Sequence, residues 1–330
     1  MSNFITRIFK HWFAGIFVSQ GLTYLDKEEI GYARSEFQRA LRIAPDLYRA
    51  RYYLGLVLRK EGKNAEALEE LSAAIDLKPK LDSAWQERAL VKLDLGDIDG
   101  AIEDSKKALS LKEDLQNYLA LGTVYTKAQN LEEAEQVLRK AVQFDPKNAA
   151  AQARLGDCLS EQGRLEEAQD AFKESVKANP KNGLAFAKLA RVTEKLGDYK
   201  EALTLYTRAS FLDPQNAGYR CSAARVAEKD GDVAGAIISY QEAVKLDPEC
   251  LTALVKLCAH ARQVSDFEKA RSYAERMLSS HPEDWEPYFQ MALIAVAEED
   301  KASAKELLKK ARSLNREGVE AALKEEQVSL

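Results

Sequence analysis

Seven of the eight prolines, Pro45, Pro79, Pro146, Pro180, Pro214, Pro248 and Pro282, fall in one register, and only Pro287 stands outside it. Most steps are 34 residues. A second series is more regular: Ala33, Ala67, Ala101, Ala134, Ala168, Ala202, Ala236, Ala270 and Ala304 give nine alanines in nine units. The step from Ala101 to Ala134 is 33, so one residue is missing near Lys112 to Gln116. A unit of this length holds two helices and a turn, and it has an apolar face that it cannot bury alone. Copies must therefore stack, each covering the next.

The unit from Tyr48 to Leu81 shows the pattern most plainly. Gly55 lies in a first helix, Gly62 in a turn, Ala67, Leu71 and Ala74 in a second helix, and Pro79 closes the unit. Small residues at fixed points let helices approach closely, and proline after the second helix stops it, because its ring clashes with the preceding turn. The eighth position of successive units holds Gly21, Gly55, Ala89, Gly122, Gly156, Ala190, Ala224, Cys258 and Ala292. The twenty-seventh holds Ala40, Ala74, Ala108, Ala141, Ser175, Ala209, Ala243, Met277 and Ala311.

This pattern resembles the tetratricopeptide repeat family, over about residues 14 to 318. The resemblance implies an all-α fold: a right-handed superhelical solenoid of about nine helix-turn-helix repeats, with a C-terminal capping helix. Glu113 and Arg316 stand where the family expects proline, and Ser105 and Ala274 where a large residue usually packs. The third and eighth repeats are therefore expected to be the loosest joints.

We expect three segments: residues 1–13 as an amphipathic aromatic helix, 14–318 as one elongated repeat domain, and 319–330 as cap and tail. No Pro/Gly/Ser linker or low-complexity tract interrupts the chain, and the repeats leave almost no residues for a catalytic module. No glycine-rich phosphate loop, nucleophile elbow or zinc signature occurs. The expectation is a non-enzymatic protein without cofactor or metal. His260, two residues after Cys258, points far from it around a helix, which disfavours a metal pair. Cys158, Cys221, Cys250 and Cys258 form no C-x-x-C pair and read as buried free thiols. A net charge of −5 and a pI near 5.6 give no global reason to bind nucleic acid.

The N-terminus departs from the repeat. Phe4, Ile5, Ile8, Phe9, Trp12, Phe13, Ile16 and Phe17 alternate in pairs with small, polar or weakly basic residues, which places the large apolar side chains along one helical stripe. Ile16 and Phe17 suffice for the first repeat, so Phe4, Ile5, Ile8, Phe9, Trp12 and Phe13 are a surplus. They either cap the first repeat or dock elsewhere: on a membrane surface, a partner or another copy. The stretch is too short to cross a bilayer, and cleavage as a secretory signal near Gly21 would cut the first repeat. The expected location is cytoplasmic, with a peripheral membrane position left open.

In the resembled family the first helices line a concave groove that binds extended peptides. Carried over by position, the groove of repeats one to three presents Val18, Leu22, Tyr52, Leu56, Leu90 and Leu93. Repeats five to eight present Arg154, Lys188, Arg191, Lys195, Arg225, Lys229, Lys256 and Arg262, with Asp157, Glu161, Glu194 and Glu228 between them. Arg191 and Arg225 hold equivalent positions and can grip the carboxylates of an acidic segment. Equally, these cations can pair with Glu194 and Glu228 and merely solvate the face. The implied function is an interaction scaffold for extended or acidic protein segments. A head-to-tail self-assembling scaffold and a regulatory subunit of a separately encoded enzyme are the alternatives.

Overall fold

The computed structural model describes residues 2–326, with side chains from Thr6 onward except that of Glu325. Internal contacts divide the chain into two compact units, residues 1–178 and 179–330. The first contains α1 (Ser2–Asp26), α2 (Ile30–Ile43), α3 (Tyr48–Lys60), α4 (Asn64–Leu77), α5 (Asp82–Asp94), α6 (Ile98–Leu111), α7 (Leu115–Lys127), α8 (Leu131–Phe144), α9 (Ala149–Glu161) and α10 (Leu165–Ala178). The second contains α11 (Gly183–Lys195), α12 (Tyr199–Leu212), α13 (Ala217–Asp230), α14 (Val233–Leu246), α15 (Leu251–Gln263), α16 (Phe267–Ser280), α17 (Glu286–Ala297), α18 (Lys301–Leu314) and α19 (Arg316–Glu325). Among the described residues every regular element is a helix.

Within each unit, odd and even helices pair into hairpins that stack on their neighbours. The alanine series is the seam. Ala33, Ala67, Ala101, Ala134 and Ala168 are fully buried in the first unit, as are Ala202, Ala236 and Ala270 in the second. The glycines at the eighth position bring the helices closer still. A Cβ on Gly21 would sit 2.5 Å from the Phe37 ring, and one on Gly55 2.6 Å from Leu71 Cγ. The two repeats that lack the large partner are filled differently. In the third, Asp104 beside Ser105 is nearly buried and receives both Arg88 nitrogens, at 2.7 and 2.9 Å. In the eighth, buried Met277 and Cys258 add volume around Ala274.

Local chemistry sets the helix ends. Asp97, Asp114, Asn148, Asp198, Asp232, Asp266 and Asp300 each accept a hydrogen bond from the amide three residues on, satisfying a donor that the helix leaves open. Carboxylates Glu132, Glu133, Glu166 and Glu167 sit in the first turns of α8 and α10, where the helix dipole favours them. Every hairpin turn places one residue in the left-handed region. Gly62, Gly96, Gly163, Gly197 and Gly231 occupy five of these sites, but Glu28, Gln129, Ser265 and Glu299 occupy four, at φ of 59° to 65°. The missing residue falls between α6 and α7, where three residues connect the helices rather than the four between α2 and α3.

At the C-terminal end α19 buries Val319 and Leu323 against Phe289, Leu293 and Leu308 while its other side stays charged. It begins at Arg316, three residues before the cap expected over 319–330, because the side chain of Asn315 caps it.

Candidate functional site

The N-terminal stripe is part of α1 itself. This helix runs 25 residues without a break, so the aromatic segment and the first helix of the first repeat are one element. One side is committed to packing: Ala14, Val18 and Gly21 are buried against the core that contains Phe37 and Ala40. At about 100° per residue, Ile8, Phe9, Trp12, Phe13 and Ile16 fall on the opposite side. They are 52, 66, 66, 48 and 40% exposed. Ile16 therefore serves the first repeat less than the sequence implied. Only Phe17 joins the core, with Phe13 edge-on to it at 5.6 Å. The side chains of Phe4 and Ile5 lie outside the described residues.

The polar side of α1 is tied down. Asp46, in the link between α2 and α3, accepts from His11 Nε2 at 2.7 Å and pairs with Arg7 at 2.8 Å. The His11 hydrogen bond holds the Asp46 carboxyl below its usual range, against a smaller opposing effect of burial. A shallow open cleft of about 310 Å³ lies here, lined by Thr6, Arg7, Lys10 and His11 on α1 and by Ile43 to Asp46.

The first-helix residues of the first unit are mostly drawn into packing. Tyr52 joins the core around Phe37, and burial raises its hydroxyl pKa despite a hydrogen bond with Ser83. Leu90 and Leu93 pack on the cluster of Ala89, Ala101 and Val124, and Leu56 is half-buried. Arg154, half-buried with its pKa lowered by burial, donates to the Thr123 hydroxyl.

In the second unit four of the cations, Arg225, Lys229, Lys256 and Arg262, have carboxylate partners. Both terminal nitrogens of Arg225 donate to Glu194, and Lys229 reaches the same carboxylate at 2.9 Å. Burial alone would raise the Glu194 carboxyl, but these hydrogen bonds outweigh it and hold it low. Lys256 pairs with Glu228 at 3.0 Å, and Arg262 with Glu326 at 2.7 Å. Arg191 is exposed and Lys188 half-buried. Sequence reasoning missed one juxtaposition here: the sulfurs of Cys221 and Cys250 lie 3.2 Å apart. Their fixed places in the period, fifth and last of one repeat, were its only signal.

Among the described residues no helix is long and apolar enough to cross a membrane, and no three His, Cys, Asp or Glu side chains gather as a metal site.

Comparisons with known proteins agree with this architecture. Human tetratricopeptide repeat protein 6 is 26% identical over 148 residues, which cover 44% of this chain and 28% of the human protein. The chain thus spans well under two thirds of that relative. A tetratricopeptide repeat protein from Parabacteroides merdae superposes with a TM-score of 0.57 at 18% identity, over 74% of this chain and 97% of that one. A human IFIT1 dimer with PPP-AAAA gives 0.59 at 18% identity, over 91% and 72%. The family described as the cilia and flagella-associated protein 70 C-terminal domain matches residues 33–253, and to this tetratricopeptide repeat family the chain belongs.

Proposed function

We propose that the protein is a non-enzymatic interaction scaffold that grips an apolar surface of a protein partner through the exposed stripe of α1. Proteins built from these repeats generally mediate protein–protein interactions. The observation that carries the reading is the stripe itself: Ile8, Phe9, Trp12, Phe13 and Ile16 are open to solvent while the other side of the helix is fully used. Covering side chains of this size contributes roughly 1.5 to 3 kcal/mol each. Because the five are only 40 to 66% exposed, covering what remains supplies on the order of 5 kcal/mol gross, a substantial contribution toward the ordering costs of association.

Charge favours a protein over a lipid surface. Arg7 is engaged by Asp46, which leaves Lys10, among the described residues, as the main cation beside the stripe and makes attraction to anionic lipid weak. Capture of acidic segments by the second unit has less support, since an incoming carboxylate would have to displace Glu194 from Arg225 and Lys229.

The test is the double variant Phe9→Asp/Trp12→Asp in the full chain. Both side chains are exposed, so its melting temperature should match that of the parent. Partners that co-purify with the parent should be lost from the variant. Equal recovery by both proteins sinks the proposal. Conversion of a dimer to a monomer in light scattering would make a second copy the occupant, and loss of vesicle flotation would make it a membrane.

A further inference from the structure

We propose that Cys221 and Cys250 form a reversible intramolecular disulfide that fastens the first helix of the seventh repeat to that repeat's last residue, at the N-cap of the helix that opens the eighth. Cys221 lies in the second turn of α13 and Cys250 is the N-cap residue of α15, 29 positions along the chain. Their sulfurs are 3.2 Å apart. A disulfide bond is about 2.05 Å long, so closure needs an approach of roughly 1 Å, within reach of side-chain rotation.

Two further observations set this pair apart. Both residues are half-buried at the edge of the core around Tyr240 and Leu254, open enough for a small reagent. Cys158 and Cys258, by contrast, are fully buried, with their thiols donating to the carbonyls of Leu131 and Ala270. Cys250 also occupies the slot that Asn148 and Asn182 fill in other repeats, where they cap the following helix. Its own side chain makes no capping hydrogen bond. The position has given up a helix start signal and gained a thiol beside another thiol.

A small-molecule disulfide such as oxidised glutathione is a sufficient two-electron oxidant. Burial and the hydrogen bond with Cys250 push the Cys221 thiol up to about 12, and Cys250, in the link before α15 rather than inside a helix, makes the first attack. Its thiolate bonds to one glutathione sulfur, the glutathione S–S bond breaks, and the departing thiolate takes a proton. Cys221 then loses its proton to solvent and attacks the mixed disulfide at Cys250, expelling the second glutathione as a thiol. Two protein thiols are oxidised to one disulfide while oxidised glutathione is reduced to two thiols, and excess reduced glutathione runs the exchange backwards.

The bond would close a loop across α14 and lock the spacing of α13 and α15. It restricts the unfolded chain, so oxidation raises the melting temperature, by about 5 °C for a loop of this size.

The experiment equilibrates the reduced full chain in glutathione buffers of graded ratio, quenches with acid, alkylates free thiols and maps them by peptide mass. The expected result is one transition in which Cys221 and Cys250 lose alkylation together, Cys158 and Cys258 keep it, and the melting temperature rises. Cys221→Ser should convert Cys250 to a stable glutathione adduct, and Cys250→Ser should abolish the transition. The proposal is overturned if both thiols remain alkylated at the most oxidising ratio, if the parent accumulates a glutathione adduct without the internal link, or if the link joins two chains.

Discussion

Gly122 and Leu138 meet so closely that a Cβ on the glycine would lie 2.5 Å from Leu138 Cδ2 and 2.6 Å from its Cγ. Leu138 is fully buried and cannot swing clear. Gly122→Ala should therefore destabilise the protein by about 1 to 2 kcal/mol, even though alanine is the better helix former by roughly 1 kcal/mol. Leu138→Ala alone should cost about 2 to 4 kcal/mol. The double variant should cost less than the sum, because the new methyl enters the vacated space. Urea midpoints of the four proteins measure this coupling, and strict additivity would refute the contact.

Four hairpin turns pay for a left-handed residue that is not glycine. Ser265 and Glu299 are exposed, at φ of 59° and 65°. Ser265→Gly and Glu299→Gly each remove strain of about 1 to 2 kcal/mol and add back roughly half of that as unfolded-state entropy. Each should raise stability by about 0.5 kcal/mol, seen as a small rise in melting temperature. Gly197→Ala, at φ 88°, should lower it. The opposite signs at equivalent turns make this a sharp comparison.

Asp104 carries the one strongly buried ion cluster of the third repeat. It is 3% exposed and takes Arg88 on both oxygens and Lys92 at 3.1 Å. Asp104→Ala strands two cations in a largely buried site and should cost about 3 kcal/mol. Replacing Arg88 by Met together with Asp104→Leu should recover part of that loss in chemical denaturation. An uncompensated Asp104→Ala of normal stability would show the cluster to be idle.

The tie between α1 and the link after α2 should fail in acid. His11 and Arg7 depress the Asp46 carboxyl, so the folded state holds its proton more weakly than the unfolded chain does. A depressed carboxylate adds stability above its unfolded pKa of about 3.9 and loses it as pH falls through the lower folded value. The parent should thus exceed Asp46→Asn in melting temperature at pH 6, and the gap should close near pH 3. A gap independent of pH contradicts the assignment.

Much of this structure was legible in the chain. The first helices start at Tyr48, Asp82, Leu115, Ala149, Gly183, Ala217 and Leu251, as the period requires, because the prolines and small residues are local signals that recur at fixed places. The one-residue deletion appears where the alanine spacing puts it, in the link from Lys112 to Asp114. Side chains that meet across repeats were harder to read. Whether Arg225 reaches solvent or Glu194, and whether the thiols of Cys221 and Cys250 touch, depends on how one hairpin is rotated against the next, which periodicity does not specify. The exposure of Ile16 has the same origin: the side of α1 that packs is set by its rotation against α2, which buries Ala14 and Val18 instead.

The unbroken run of α1 has a mechanical meaning. A helix of 25 residues is a rod about 37 Å long, clamped at its C-terminal half by Ala14, Val18 and Gly21 and stayed near its middle by Asp46. Whatever holds Phe9 and Trp12 holds a lever arm with no hinge along its length. A partner at that end would aim the first unit as well as tether it, and torque applied there would arrive undamped at the first hairpin.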